Sequence, residues 1–231
     1  MHIPDGFLNS GTSGSLIVAA VGFLSLAVSR VRQGFFEKVR TATLATPEGA
    51  EFGSTTVAKL TSYGRNKMFR MAVVGAFVFA AQMVDFPVVH GTSGHLLGGV
   101  LAAILLGPWA GMLVIAAVLA VQSLMFADGG LVALGANIIN MGVIGAVGGY
   151  YAYRFLFKRI KKVLPAAFIA AWLSVVVAAS VCAVELSVSG TENLAQSFSA
   201  MAGIHALIGL GEGLITVMVL IGLKHKEKNN E

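Results

Sequence analysis

Between Phe86 and Ala127 the chain runs for 42 residues without an aspartate, glutamate, lysine or arginine. As a single helix that stretch would measure about 63 Å at 1.5 Å per residue, twice the roughly 30 Å of a bilayer's hydrocarbon core. The chain must therefore double back, and Gly107-Pro108 is the natural place for the reversal. Upstream, Pro87-Val88-Val89-His90-Gly91-Thr92-Ser93-Gly94 is too broken for regular helix. Irregular backbone survives at membrane depth only where protein or a cavity satisfies its N–H and C=O groups. The stretch thus predicts a short span over 95–106, a longer one over 109–126, and a loop over 87–94 tucked into the bundle.

The rest of the chain has the same character. Of 231 residues, 56% are hydrophobic and 12% charged, whereas a soluble domain is about a quarter charged. Mean hydropathy is +0.82. An all-α integral membrane protein follows, with further spans predicted at about 13–29, 68–84, 131–153, 166–184 and 200–223. Residues 31–66 are polar and mixed, and read as a cytoplasmic loop carrying a short surface helix. Threaded through seven spans, all 16 lysines and arginines fall on one side, in 30–70, 154–162 and the tail. The positive-inside rule makes that side cytoplasmic, with the N-terminus outside and the C-terminus within. The whole of 1–231 reads as one membrane domain in the plasma membrane of a prokaryote. The first basic residue, Arg30, follows the first apolar segment, whereas a cleavable signal needs basic residues before it. Met1 is therefore expected to stay in place.

Several function classes drop out. The net charge of +5 belongs to membrane-flanking segments and implies no nucleic acid. The single cysteine, Cys182, lies in an apolar run and can close no internal disulfide. There is no G-x-x-x-x-G-K-[ST] loop for ATP and no H-E-x-x-H pair for an intramembrane metalloprotease. The glycine pairs 94/98, 107/111, 145/149 and 209/213 read as close helix packing.

The opening, Met1-His2-Ile3-Pro4-Asp5-Gly6, offers chemistry of its own. Met1 amine, His2 amide nitrogen and His2 Nδ1 can close a five- and a six-membered ring around one ion. Such a flat, nitrogen-rich set suits Ni(II) or Cu(II). Pro4-Asp5-Gly6 then turns the chain away. The topology places His2, His90 and His95 on the same outer side. His95 is the preferred fourth donor, because it stands where a membrane helix begins, and His90 is the alternative. Asp128, Asn137 and Asn140 are candidates for additional ligands or for holding the metal-binding segment. His205 and Glu212 share one face of the last span, and ionisable groups there demand a reason, whether metal binding, an interhelical hydrogen bond or a partner contact.

Four stretches of this chain resemble a known family. They are Met1-His2-Ile3-Pro4-Asp5-Gly6-Phe7-Leu8, Gly94-His95-Leu96-Leu97-Gly98-Gly99, the run from Phe126-Ala127-Asp128-Gly129-Gly130 to Asn140-Met141-Gly142, and His205 through Thr216. Together they look like the substrate-capture membrane subunits of energy-coupling-factor nickel and cobalt importers, the NikM/CbiM family. The resemblance implies seven helices, an N-terminus inserted into the bundle, and a metal held in a plane by Met1 amine, His2 amide, His2 imidazole and His95. It also implies partners: a membrane coupling subunit, two cytoplasmic ATPase subunits and a small accessory membrane protein. Residues 31–66 are longer than the family pattern, and His90 is an extra histidine.

The reading is therefore a non-enzymatic importer subunit that carries Ni(II) or Co(II) as cargo and holds no permanent cofactor. The rival is a seven-span sensor or receptor that binds without net transport, using 31–66 as its signalling surface. An intramembrane enzyme built on His205 and Glu212 lacks a nucleophile beside a base.

Overall fold

A computed structural model of the chain describes residues 2–41, 55–84, 86–87 and 93–229. Its helices are α1 (Ser10–Val31), α2 (Ser62–Gln82), α3 (Gly99–Leu106), α4 (Pro108–Met125), a continuous rod formed by α5 (Leu134–Asn137), a π-helical stretch (Ile138–Gly148) and α6 (Gly149–Ile160), then α7 (Val163–Val188) and α8 (Leu194–Asn229). Counted as rods, the described residues hold seven. Four helices are long and apolar enough to cross a membrane: α1, α4, α7 and the Leu194–Lys226 part of α8. Large apolar side chains such as Val18, Val21 and Phe23 of α1 face outward. That arrangement suits a molecule whose surroundings are lipid.

Gly107 makes the reversal between α3 and α4, with φ +88°, and Pro108 starts α4, where its missing N–H costs nothing. Gly111 lets the hairpin close, since a Cβ there would lie 2.8 Å from the Ala103 backbone. On the other side of the bundle α7 packs along α8. Trp172 Nε1–H donates to Ala206 O at 2.9 Å, and Gly209 and Gly213 fit against Trp172 and Phe168.

Two expectations need correction. Among the described residues of 31–66, strands stand where a surface helix was expected: β1 (Phe36–Thr41) pairs antiparallel with β2 (Thr55–Leu60), Val39 opposite Val57. Branched residues (Val39, Thr41, Thr55, Thr56, Val57) favour the pleated form over helix. Residues 42–54 lie outside the described ones. The third span also starts later than 95. Residues 95–98 are non-helical and α3 has 8 residues, about 12 Å of helix. His95 thus precedes the helix instead of opening it. Before it, β3 (Phe86–Pro87) and β4 (Ser93–Gly94) pair in a two-rung ladder.

The core draws Leu97, Met112, Ile115, Leu119, Met141, Leu186 and Met201 from around the bundle. Ile3 is fully buried among them. The start of the chain is therefore a structural part of the interior.

Candidate metal centre

The first residues are fastened by a ladder of side-chain and backbone bonds to the 128–137 segment. Ile3 N–H donates to Asn137 Oδ1 at 2.9 Å, and Asn137 Nδ2 donates back to Ile3 O at 3.2 Å. Gly130 N–H also donates to Ile3 O, at 2.9 Å. The Asp5 carboxylate accepts from Leu131 N (3.1 Å), Val132 N (2.8 Å) and Ala133 N (3.3 Å). Farther on, Thr191 Oγ1 donates to Phe7 O. Gly129 and Gly130 make this approach possible. A Cβ on Gly130 would fall 2.1 Å from Asp5 Oδ1, and Gly129, at φ +86°, lies beneath the His2 side chain.

Held this way, His2 is buried, and its ring centroid stands 4.3 Å from that of His95, with planes 41° apart. His2 Nδ1–H donates to Asp128 Oδ1 at 2.7 Å. Burial pushes the Asp128 carboxyl upward, but the hydrogen bond from His2 and its charge outweigh this and hold it below the usual aspartate range. Asp128 is therefore an anion at neutral pH.

Three backbone groups of the non-helical 95–98 segment are satisfied by two other helices. Glu212 of α8 accepts from Leu97 N at 2.9 Å and Gly98 N at 2.7 Å, and Gln82 Nε2 of α2 donates to Leu97 O at 2.7 Å. Gly98 adopts φ +69° with Val78 against its Cα, and a Cβ on Gly99 would meet the Gly145 backbone at 2.8 Å. The His95 ring is fully buried, with Nδ1–H donating to Leu96 O at 2.7 Å.

His2, His95, Asp128 and Asn137 thus converge. Asn140 does not join them: its Nδ2 donates to Glu185 Oε2 of α7 at 2.6 Å. Glu212 serves the His95 segment through its backbone, and His205 lies buried on the same helix. Met1 and His90 lie outside the described residues. Among the described residues no three His, Cys, Asp or Glu side chains form a metal cage. Sequence reasoning took Asp5 only as a turn former, named Gly129 and Gly130 only as part of a family-like stretch, and passed over Gln82. The available signal was that Asp5 is the only acid before Glu37.

Residues 2–229 match the family described as "cobalt uptake substrate-specific transmembrane region", CbiM. A putative fused nickel transport protein NikMN of Archaeoglobus fulgidus is 38% identical over 95% of this chain and 64% of its own length. This chain therefore spans just under two thirds of that relative. A putative metal transport protein of Haloquadratum walsbyi is 34% identical over 95% of this chain and 88% of its own. The cobalt transport protein CbiM of a Nostoc species is 30% identical over 95% and 77%. A crystal structure of a truncated transition metal transporter superposes with a TM-score of 0.82 at 28% identity, covering 98% of this chain and 99% of that one. With that match running from the buried His2 to the end of α8, the chain belongs to the CbiM family and is a multi-pass membrane protein.

Proposed function

We propose that this chain is the substrate-binding membrane component of an energy-coupling-factor importer, and that its cargo is Ni(II) or Co(II). The cargo is held in a plane by Met1 amine, His2 amide nitrogen, His2 Nδ1 and His95 Nε2. The chain is one membrane domain of seven spans, N-terminus outside and C-terminus cytoplasmic. A membrane coupling subunit, two cytoplasmic ATPases and a small accessory membrane protein complete the transporter, so ATP hydrolysis lies outside this chain. The names of the fused nickel and the cobalt relatives support the choice of cargo.

One observation carries the reading: imidazoles 93 positions apart in sequence, both buried, meet with ring centroids 4.3 Å apart. Nδ1 of His2 is engaged with Asp128, so capture exchanges Asp128 for the metal at that nitrogen. The carboxylate stays beside the site and offsets part of the incoming charge. Amine and imidazole bind as neutral donors and the amide loses its proton, so binding releases protons.

Metal titration of the purified chain with a free amino terminus tests the proposal. One equivalent of nickel or cobalt is expected per chain, and none at that affinity once residues are fused ahead of Met1. Wild-type affinity in the fused form would place the metal elsewhere.

A further inference from the structure

α2 packs on α3 and α4, and α8 runs along α7, but among the described residues α2 and α8 do not pack along each other. Gln82 and Glu212 join them only indirectly, through the backbone of Leu97. Between the two helices a groove of about 970 Å³ opens on the side of the bundle. Its walls are apolar, with Ala80 and Ala81 from α2 and Leu207 and Gly211 from α8. The groove continues into a second apolar hollow of about 340 Å³, which shares Phe77 and Val219 with it and takes Leu101 and Leu105 of α3 as a further wall. That hollow reaches Phe69 and Arg70. The same two residues line a recess of about 550 Å³ together with Tyr63, Asn66 and Lys67. Three cavities therefore adjoin in series, basic and polar at one end and apolar along the rest.

We propose that this slot binds one anionic glycerophospholipid, with its phosphate at Arg70 and Lys67 and an acyl chain lying between α2 and α8. The inference goes beyond the capture reading and does not depend on the cargo. Charge selects the occupant. Among the described residues no carboxylate pairs with Arg70 or Lys67. Arg65, the neighbouring cation on α2, is spent on Leu60 O and Ser62 Oγ. Lys67 gives one proton to Leu106 O and keeps two for a phosphate. The Arg70 guanidinium offers the forked donor that phosphate oxygens match. Basic pockets between membrane helices are seats for anionic headgroups.

A transmembrane helix of a partner would use the apolar walls and leave the basic recess without a counter-charge. A second copy of this chain would bring another Arg70 and Lys67 in place of an anion. A phospholipid fits both ends at once. Seated there, its chain bridges the two helices whose Gln82 and Glu212 hold the 95–98 segment.

The test is native mass spectrometry of the full-length chain in detergent, titrated with dioleoyl phosphatidylglycerol or dioleoyl phosphatidylcholine. The first phosphatidylglycerol is expected to bind at lower concentration than the first phosphatidylcholine, and excess inorganic phosphate should not displace it. Two variants separate head from tail, each checked first for unchanged helix content and melting temperature. Arg70 makes no hydrogen bond or ion pair among the described residues, so Arg70→Gln breaks none of them. It is expected to weaken phosphatidylglycerol on the order of fivefold, the weight of one basic residue at a membrane surface, and to leave phosphatidylcholine unchanged. Arg70→Lys should restore most of the loss. A Cβ on Gly211 meets nothing within 4 Å, so Gly211→Leu projects into the groove without a clash and favours the helix. It is expected to weaken the first phosphatidylglycerol on the order of tenfold, as one or two methylenes lose their seat. Equal binding of the two lipids by the wild-type chain overturns the proposal, as does a preference that survives Arg70→Gln or wild-type affinity in Gly211→Leu. Displacement by inorganic phosphate would leave an anion site only. A lipid-free dimer would make the groove an interface between copies, and a lipid-free monomer would leave it to a partner's helix; each of these also overturns it.

Discussion

At the scale of single residues, the N-terminal segment depends on a glycine as much as on its histidine. Gly130 leaves no room for a Cβ, which would sit 2.1 Å from Asp5 Oδ1 and 2.4 Å from Asp5 N. Gly130→Ala must therefore push Asp5 off Leu131, Val132 and Ala133. Overpacking of this kind costs about 1–3 kcal/mol, and most of that cost falls on the docking of residues 2–5, not on the helices. Calorimetric titration with nickel is expected to show affinity reduced on the order of tenfold or more, as for other losses of ligand support. Circular dichroism should stay unchanged. Wild-type affinity in this variant would show that the Asp5 clamp is not what seats His2.

Among elements, the short α3 gives the same lesson at larger scale. With 8 residues, about 12 Å of helix, it is too short to cross a bilayer alone, and the non-helical 95–98 segment leads into it. Its backbone is satisfied by Glu212 and Gln82, which reach in from α8 and α2. Removing the Glu212 carboxylate leaves two buried N–H groups unpaired, at about 1–3 kcal/mol each. Glu212→Ala should therefore lower the melting temperature and weaken metal binding together, because His95 rides on the freed segment. Glu212→Gln keeps one acceptor oxygen and is expected to fall between Ala and wild type. Equal effects of the two substitutions would mean that the acceptor role is not what stabilises the loop.

For the whole molecule, the placement of basic residues decides orientation. Cys182 is fully buried, so cysteines introduced at the surface can be read against a silent background. Glu192→Cys, between α7 and α8, is expected to react with an impermeant maleimide in intact cells. Arg32→Cys and Lys226→Cys should react only after permeabilisation, since both lie in basic flanks. Labelling of position 32 from outside would overturn the seven-span arrangement.

Much of this architecture was legible from hydropathy alone, because bilayer thickness sets the length of a span and charge sets its ends. The 42-residue uncharged run, too long for one helix and too short for three, demanded the hairpin at Gly107-Pro108, and the structure turns there. The proposed Met1-His2 chelate is also a local reading, a matter of atoms a few bonds apart, and Met1 lies outside the described residues. The strand pair at 36–60 escaped because both helix and strand were open to a short polar segment, and pairing across a gap decided between them. His95's place ahead of α3 escaped for a related reason: the Glu212 carboxylate, 115 positions beyond Leu97, takes up N–H groups that a helix would have paired. Asp5 reaching Val132, Asn137 reaching Ile3 and His2 meeting Asp128 and His95 are likewise contacts between distant positions. No local pattern encodes them. They exist because buried polar groups must find partners, and only the packed bundle determines which partners are within reach.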